Sequence, residues 1–242
     1  RVNTSLALFY SDYTDIQGVL ERGGFSLRGR WFERSGEDFW GGLHVLTDSQ
    51  LELEYGFLEL RQQWETKSGL DFTLSAWVDH QESDNFFYVL PPGVIPPVHP
   101  LYPWNATGYI ANTYAEETNT GAELCAEKQL DAHTVLAGIA WRQEKLHDPS
   151  LRANYNPAPL PTVRDVSDDF NWLEEARRDI SSVFIQDLWD VSDKLRLTVG
   201  ARYDYFSDFD GTFNPRVGAA WRPKSNLVLR TSYGSAFRAP DF

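Results

Sequence analysis

What this chain lacks narrows the problem first. Its 242 residues include no methionine and one cysteine, Cys125. A lone thiol closes no internal disulfide. No apolar run reaches the ~18 residues that a spanning helix needs, and mean hydropathy is -0.43. Positive charge is scarce: 22 Lys and Arg stand against 35 Asp and Glu, a net charge of -13. A nucleic-acid partner wants a basic face, so none is expected. There is no GxSxG, no HExxH, no CxxC and no phosphate-cradling glycine loop, so no enzymatic activity is expected. His44, His80, His99, His133 and His147 are scattered. Asp79 and His80 close a strand beside Gln81 and Glu82, which reads as a solvated strand end, because metal ligands must converge. No metal and no cofactor is expected.

What is present is alternation. From Leu195 to Phe206, Leu195, Leu197, Val199, Ala201, Tyr203 and Tyr205 fall on one face; Arg196, Thr198, Gly200, Arg202 and Asp204 fall on the other. A period of two means a β-strand between two environments. Leu227 to Phe237 repeats the pattern. One continuous apolar face and one ionic face suit a wall between lipid and a wet lumen. Alternation also reconciles a membrane location with the low hydropathy, since only every second residue is apolar. Aromatics make up 14% of the chain, with nine Trp; Trp and Tyr collect at both interfaces of membrane barrels.

Eleven strands are expected: 2–13, 16–21, 25–34, 51–64, 70–80, 119–128, 133–144, 180–189, 195–206, 214–221 and 227–237. In the eighth, Val183, Ile185 and Trp189 compete with Phe184 and Leu188 for the apolar face. Short polar turns (ERGG, ETKSG, QLDA, DVSDK, RPKSN) follow the even strands. Long connections at about 34–50, 81–118 and 145–179 follow odd ones. Outer-membrane barrels show this asymmetry, with short periplasmic turns and long extracellular loops.

The phrases FIQDLW, LTVGARYDYF, FNPRVGAAW and YGSAFRAP, in this order within 179–242, resemble the central barrel segment of TonB-dependent outer-membrane receptors. GGFSLRGRWFERSG, ELEYGFLELRQQW and LDFTLSAWVDH resemble earlier strands of the same family. The resemblance implies an all-β fold, an antiparallel up-and-down transmembrane β-barrel, here about eleven of an expected 22 strands. Residues 1–242 would then be part of the barrel domain, with a plug domain ahead of Arg1 and further strands beyond Phe242. It also implies active uptake of a scarce ligand such as a ferric siderophore, haem or cobalamin, with outer-membrane lipid, lipopolysaccharide and, through the plug, the TonB complex as partners. Phe237, Arg238, Ala239 and Pro240 form the family's FRAP string, which occurs in receptors for several substrates.

Candidate ligand residues lie in the two longest connections. In 81–118, Phe86, Phe87, Tyr88, Tyr102, Trp104 and Tyr109 alternate with stiffening prolines. They make either a ligand platform or a packing surface against neighbouring loops and lipopolysaccharide. In 145–179, Tyr155, Trp172, Arg177 and Arg178 stand near Glu174 and Glu175, and the arginines meet either an anionic ligand or those acids. Two other readings share parts of the pattern. A passive barrel, porin or adhesin, shares alternation and loop asymmetry. A soluble all-β carbohydrate-binding domain would use the aromatics as a sugar platform and Asp168 and Asp169 as its acids.

Overall fold

The computed structural model describes residues 11–37, 49–90, 92–93 and 106–239. Its strands are β1 (Ser11–Arg22), β2 (Phe25–Glu37), β3 (Gln50–Glu65), β4 (Leu70–Leu90), β5 (Tyr109–Leu130), β6 (His133–Tyr155), β7 (Pro159–Asp165), β8 (Ala176–Ser192), β9 (Leu195–Phe206), β10 (Thr212–Lys224) and β11 (Leu227–Gly234). Ten of them lie side by side in one antiparallel sheet, each paired with its neighbour in sequence except that β8 follows β6; β7 pairs with the far end of β6. Among the described residues there is no helix and the sheet does not close on itself.

The apolar phase of each strand registers with that of the next. One row across the sheet reads Leu74, Leu124, Ile139, Val183, Tyr203 and Phe213. These side chains point away from the sheet's concave side: Ile139 is 59% exposed and Phe213 63%. In water so large an apolar face would be untenable; in a bilayer it is the solvated face. No large side chain is fully buried among the described residues. The eighth expected strand resolves accordingly. Val183, Ile185 and Trp189 are exposed with the outward phase, while Phe184 packs over Gly138 on the inner face.

Aromatics bracket this belt. Trp64, Trp189 and Trp221 lie near the short turns, and Trp141, Tyr203 and Tyr205 near the opposite edge, all with exposed rings. At roughly 3.3 Å per residue, Trp189 and Ser181, which pairs with Tyr205, are about 26 Å apart along β8. That suits a tilted strand across an apolar band about 25 Å tall. The short turns are chemically specified. Gly23 and Gly24 both have positive φ, at 58° and 83°, as a two-residue hairpin of the I′ kind demands.

Four expectations change. The segment 16–21 is not a separate strand but part of β1, a single strand from Ser11; residues 2–10 of the first expected strand lie outside the described residues. The long connections 81–118 and 145–179 are largely ladder, because β4, β5 and β6 run on to Leu90, from Tyr109 and to Tyr155. Above the lipid both faces are wet, so the hydrophobic period vanishes from segments such as QESDN while backbone pairing continues. β7 lies inside the second of those connections, where only loop was expected. β11 stops at Gly234, three residues before Phe237.

Placing a charge on the outward row tests the lipid assignment. Ile139→Arg should destabilise the folded barrel in vesicles by about 2–4 kcal/mol, read by urea titration of the intact protein. An unchanged midpoint would place Ile139 in water instead.

Candidate functional site at the lumenal wall and its rim

The inner face is polar and tightly paired. Gly121 and Gly138 sit on it because aromatic rings cross them: a Cβ at either position would run into Trp77 or Phe184. Arg202 stands over the Phe184 ring at 5.6 Å. Its guanidinium donates to Asp204 Oδ1 at 2.7 Å and to Ser182 Oγ at 2.8 Å. Ser182 in turn donates to Asp204 at 2.6 Å. Asp204 is only 8% exposed, so its charge is tolerable because Arg202, Ser182 and, at 3.5 Å, the Asn214 amide donate to it.

Toward the long-loop end, β8 carries Arg178 inward, its side chain 6% exposed. Arg178 forks onto Asp208, Nε to Oδ1 at 2.9 Å and Nη2 to Oδ2 at 2.7 Å. Glu144 stands 3.5 Å from Nη1, and the guanidinium lies 5.2 Å from the Phe209 ring centre. The Arg178 hydrogen bond holds the Asp208 carboxyl below the ordinary carboxylate range. Phe209 stacks on Phe206 at 4.4 Å, and Phe237 closes the trio at 5.8 Å and 5.4 Å. Arg178, Phe206 and Phe237 border a recess of about 500 Å³ that also includes Arg142, Glu144, Arg202, Asp204 and Arg238. A second recess of about 340 Å³ shares Glu144 and Arg178 and adds Gln81, Glu117, Leu146 and Trp172. The Trp172 indole donates to the Ser150 carbonyl at 3.0 Å, which fixes the ring over β6.

The structure brings together some of the expected ligand residues and separates others. Trp172 and Arg178 share one recess; Phe237, Arg238 and Ala239 line the adjoining one. The expected 81–118 platform is divided by the sheet itself. Phe87 and Tyr109 pack inward against Ala111, Leu151, Ala153 and Val166, and Tyr155 meets Tyr109 at 5.6 Å. Phe86 and Tyr88 take the opposite strand phase and touch edge to face at 5.5 Å. Consecutive strand residues cannot share a face, so these aromatics are no single surface and, of the six described, all but Trp172 are strand rather than loop. Arg177 points outward and pairs with Asp179 at 2.9 Å, not with Glu174 or Glu175. Tyr102, Trp104 and Pro240 lie outside the described residues.

Arg142, Glu144, Ser182, Asp204 and Asp208 were not among the expected site residues. The polar strand phase that contains Arg202 and Asp204 was the available signal, but only register shows which of its members meet. Cys125 lies on the inner face, donating to Glu123 at 3.2 Å.

Comparison with known proteins agrees with this architecture. The model of a family described as TonB dependent receptor-like, beta-barrel matches residues 3–242. A curated protein of Vibrio cholerae serotype O1, named iron-regulated outer membrane virulence protein, is 25% identical over 132 residues, which are 53% of this chain and 19% of that protein. Among solved structures, the copper transporter OprC matches 97% of the chain and 37% of its own, with a TM-score of 0.67 at 16% identity. A ferric enterobactin receptor (PfeA) mutant from Pseudomonas aeruginosa matches 95% and 34%, with a TM-score of 0.63 at 15% identity. Ferric citrate transporter FecA, unliganded, matches 93% and 35%, with a TM-score of 0.61 at 10% identity. The chain thus spans little more than a third of these structures, and at such identities they speak for the fold alone. With a family match over nearly every residue and a lipid-facing belt of the required height, the chain belongs to the TonB-dependent receptor-like β-barrel family of the bacterial outer membrane.

Proposed function

We propose that this chain is part of the barrel wall of a TonB-dependent transporter that takes up an anionic metal chelate, a ferric siderophore before haem or cobalamin. The observation that carries the reading is the rim recess, where Arg142, Arg178, Arg202 and Arg238 gather beside Phe206, Phe237 and, in the adjoining recess, Trp172. Guanidinium groups with flat rings recognise multiply charged planar oxygen donors such as catecholate or carboxylate chelates. A curated relative named for iron regulation and solved relatives named as ferric enterobactin and ferric citrate proteins support the same substrate class. The wall does no covalent chemistry in this reading. Ligand release is driven through a plug domain coupled to TonB, with lipid and lipopolysaccharide around the outside. The FRAP string does not choose among substrates. The outward apolar row speaks against a soluble carbohydrate-binding domain, and the family match speaks against a porin.

The test is energy-dependent uptake of radio-iron siderophores by iron-starved cells carrying the intact receptor, with and without TonB. Equal accumulation in both would overturn the transporter reading. In the purified receptor, Trp172→Ala should weaken chelate binding about 3- to 10-fold, the worth of one aromatic contact, measured by ligand titration. Unchanged affinity would remove this rim from the binding surface.

Acid should loosen the rim in a defined window. Asp208 titrates lower in the folded protein than in the unfolded chain, so its contribution is complete above the ordinary carboxylate value near ~4 and fades as pH falls below it. The protection of amides at 207–211, relative to their intrinsic exchange rates, should fall below about pH 4, and Asp208→Asn should already show that lower protection at neutral pH. Protection that is flat with pH would mean the Arg178 pair does not anchor this connection.

A further inference from the structure

The outer face carries a cluster of metal-ligating side chains beside the rim, of which Glu116 alone also borders the Trp172 recess. Its members come from three strands: His80 on β4, Glu116 and Thr118 on β5, and His147 on β6. All four take the outward phase of the apolar belt, beyond its loop-side edge; His80 lies two positions past Val78, roughly 7 Å along the strand.

The hydrogen bonding of this cluster is that of a prepared metal site. Thr118 Oγ1 lies 2.9 Å from His80 Nδ1 and 3.0 Å from His147 Nε2. One hydroxyl oxygen has two lone pairs and can accept from both rings. In that arrangement His80 Nε2 and His147 Nδ1 are the ring nitrogens left for a metal ion. Both face one carboxylate oxygen, Glu116 Oε2, at 4.0 Å and 3.5 Å. The other carboxylate oxygen, Oε1, accepts from the Tyr114 hydroxyl at 2.5 Å. One ligand atom from each of His80, Glu116 and His147 falls within 4.8 Å of the others. Ligands about 2.0–2.1 Å from a tetrahedral ion stand roughly 3.3–3.4 Å apart, so His147 and Glu116 at 3.5 Å already match and His80, at 4.0 Å from Glu116, must move in. Metal-bound histidines ordinarily hold their second ring nitrogen in a hydrogen bond of this kind.

The strand register places the cluster. The β5–β6 register breaks between the pairs Tyr114–Ser150 and Glu116–His147. Within this bulge Asp148 adopts φ 52°, a left-handed conformation that costs a non-glycine residue free energy. The unbroken β5–β6 register from Leu130–His133 to Glu116–His147 sets His147 opposite Glu116, and the bulge re-aims only the residues after it.

We propose that His80, Glu116 and His147 bind a divalent first-row transition ion on the outer surface of the barrel, just above the lipid belt. Two imidazoles and one carboxylate suit zinc, nickel or copper rather than calcium or magnesium. The coordination positions left over face away from the sheet and take water. Thr118 is a positioning residue that fixes both ring tautomers.

The intact receptor in detergent, stripped of metal, can be titrated with Zn(II) against a chromophoric chelator. Heat-modifiable gel mobility serves as the check of folding. The wild type should bind one more Zn(II) than the His80→Ala/His147→Ala double variant. Glu116→Gln should weaken that site at least ~10-fold and Thr118→Val about 10-fold, the usual effect of losing an outer-shell partner. His133→Ala removes a comparable outward histidine paired with Asp187 at 2.7 Å and should change nothing. Co(II) at the site should give visible absorption that the double variant lacks. Identical Zn(II) stoichiometry and affinity in the wild type and the folded double variant would overturn the proposal.

Discussion

A backbone in hydrocarbon must pair every N–H and C=O within the protein, and the rest of this structure follows from that constraint. A strand meets it only through its neighbours, so β1 to β6 and β8 to β11 form one continuous ladder. Once the ladder is fixed, each residue can only look out or in. Val183 and Tyr203 meet lipid; Ser182 and Asp204 meet the lumen. The chain has almost no core in the ordinary sense because the bilayer takes that role on one face and water on the other.

The same constraint explains where sequence reading succeeded and where it stopped. The strands at 70–80, 133–144 and 195–206 were legible because lipid on one side and water on the other impose a period of two. Their continuations were not. Beyond His80 the sequence QESDN carries no period, since both faces are wet, yet pairing runs on to Leu90. The first two expected strands were split at Tyr13–Ile16 although β1 is unbroken there. In each case the error lay in treating lost amphipathicity as lost pairing, which are separate physical facts.

The candidate site was less legible than the fold, for a geometric reason. Arg178 was identifiable as a residue type; its neighbours Glu144 and Asp208 come from other strands and connections. Phe86, Phe87 and Tyr88 looked like one surface because they are adjacent in sequence, and adjacency in a strand guarantees opposite faces. His80 seemed unpromising beside Asp79, Gln81 and Glu82, and the groups that converge on it are Glu116 and His147. Composition names the ingredients, whereas register assembles them.

Register is set mostly at the end of the molecule remote from the rim. The two-residue hairpin of Gly23 and Gly24, and the turns before His133 and Leu195, fix how each pair of strands slides. A slip of one residue between β6 and β8 would turn Arg178 out and Arg177 in, and break Glu144 from its partner. The bulge at Asp148 shows the complementary case: a register change confined to the wet end, where no lipid-facing row is disturbed. Left-handed strain there follows His147, which keeps its outward phase, and returns Leu151 and Ala153 to the inner apolar cluster. Short turns therefore govern chemistry at the opposite mouth, and the β5–β6 bulge revises that instruction above the membrane, where both faces are wet.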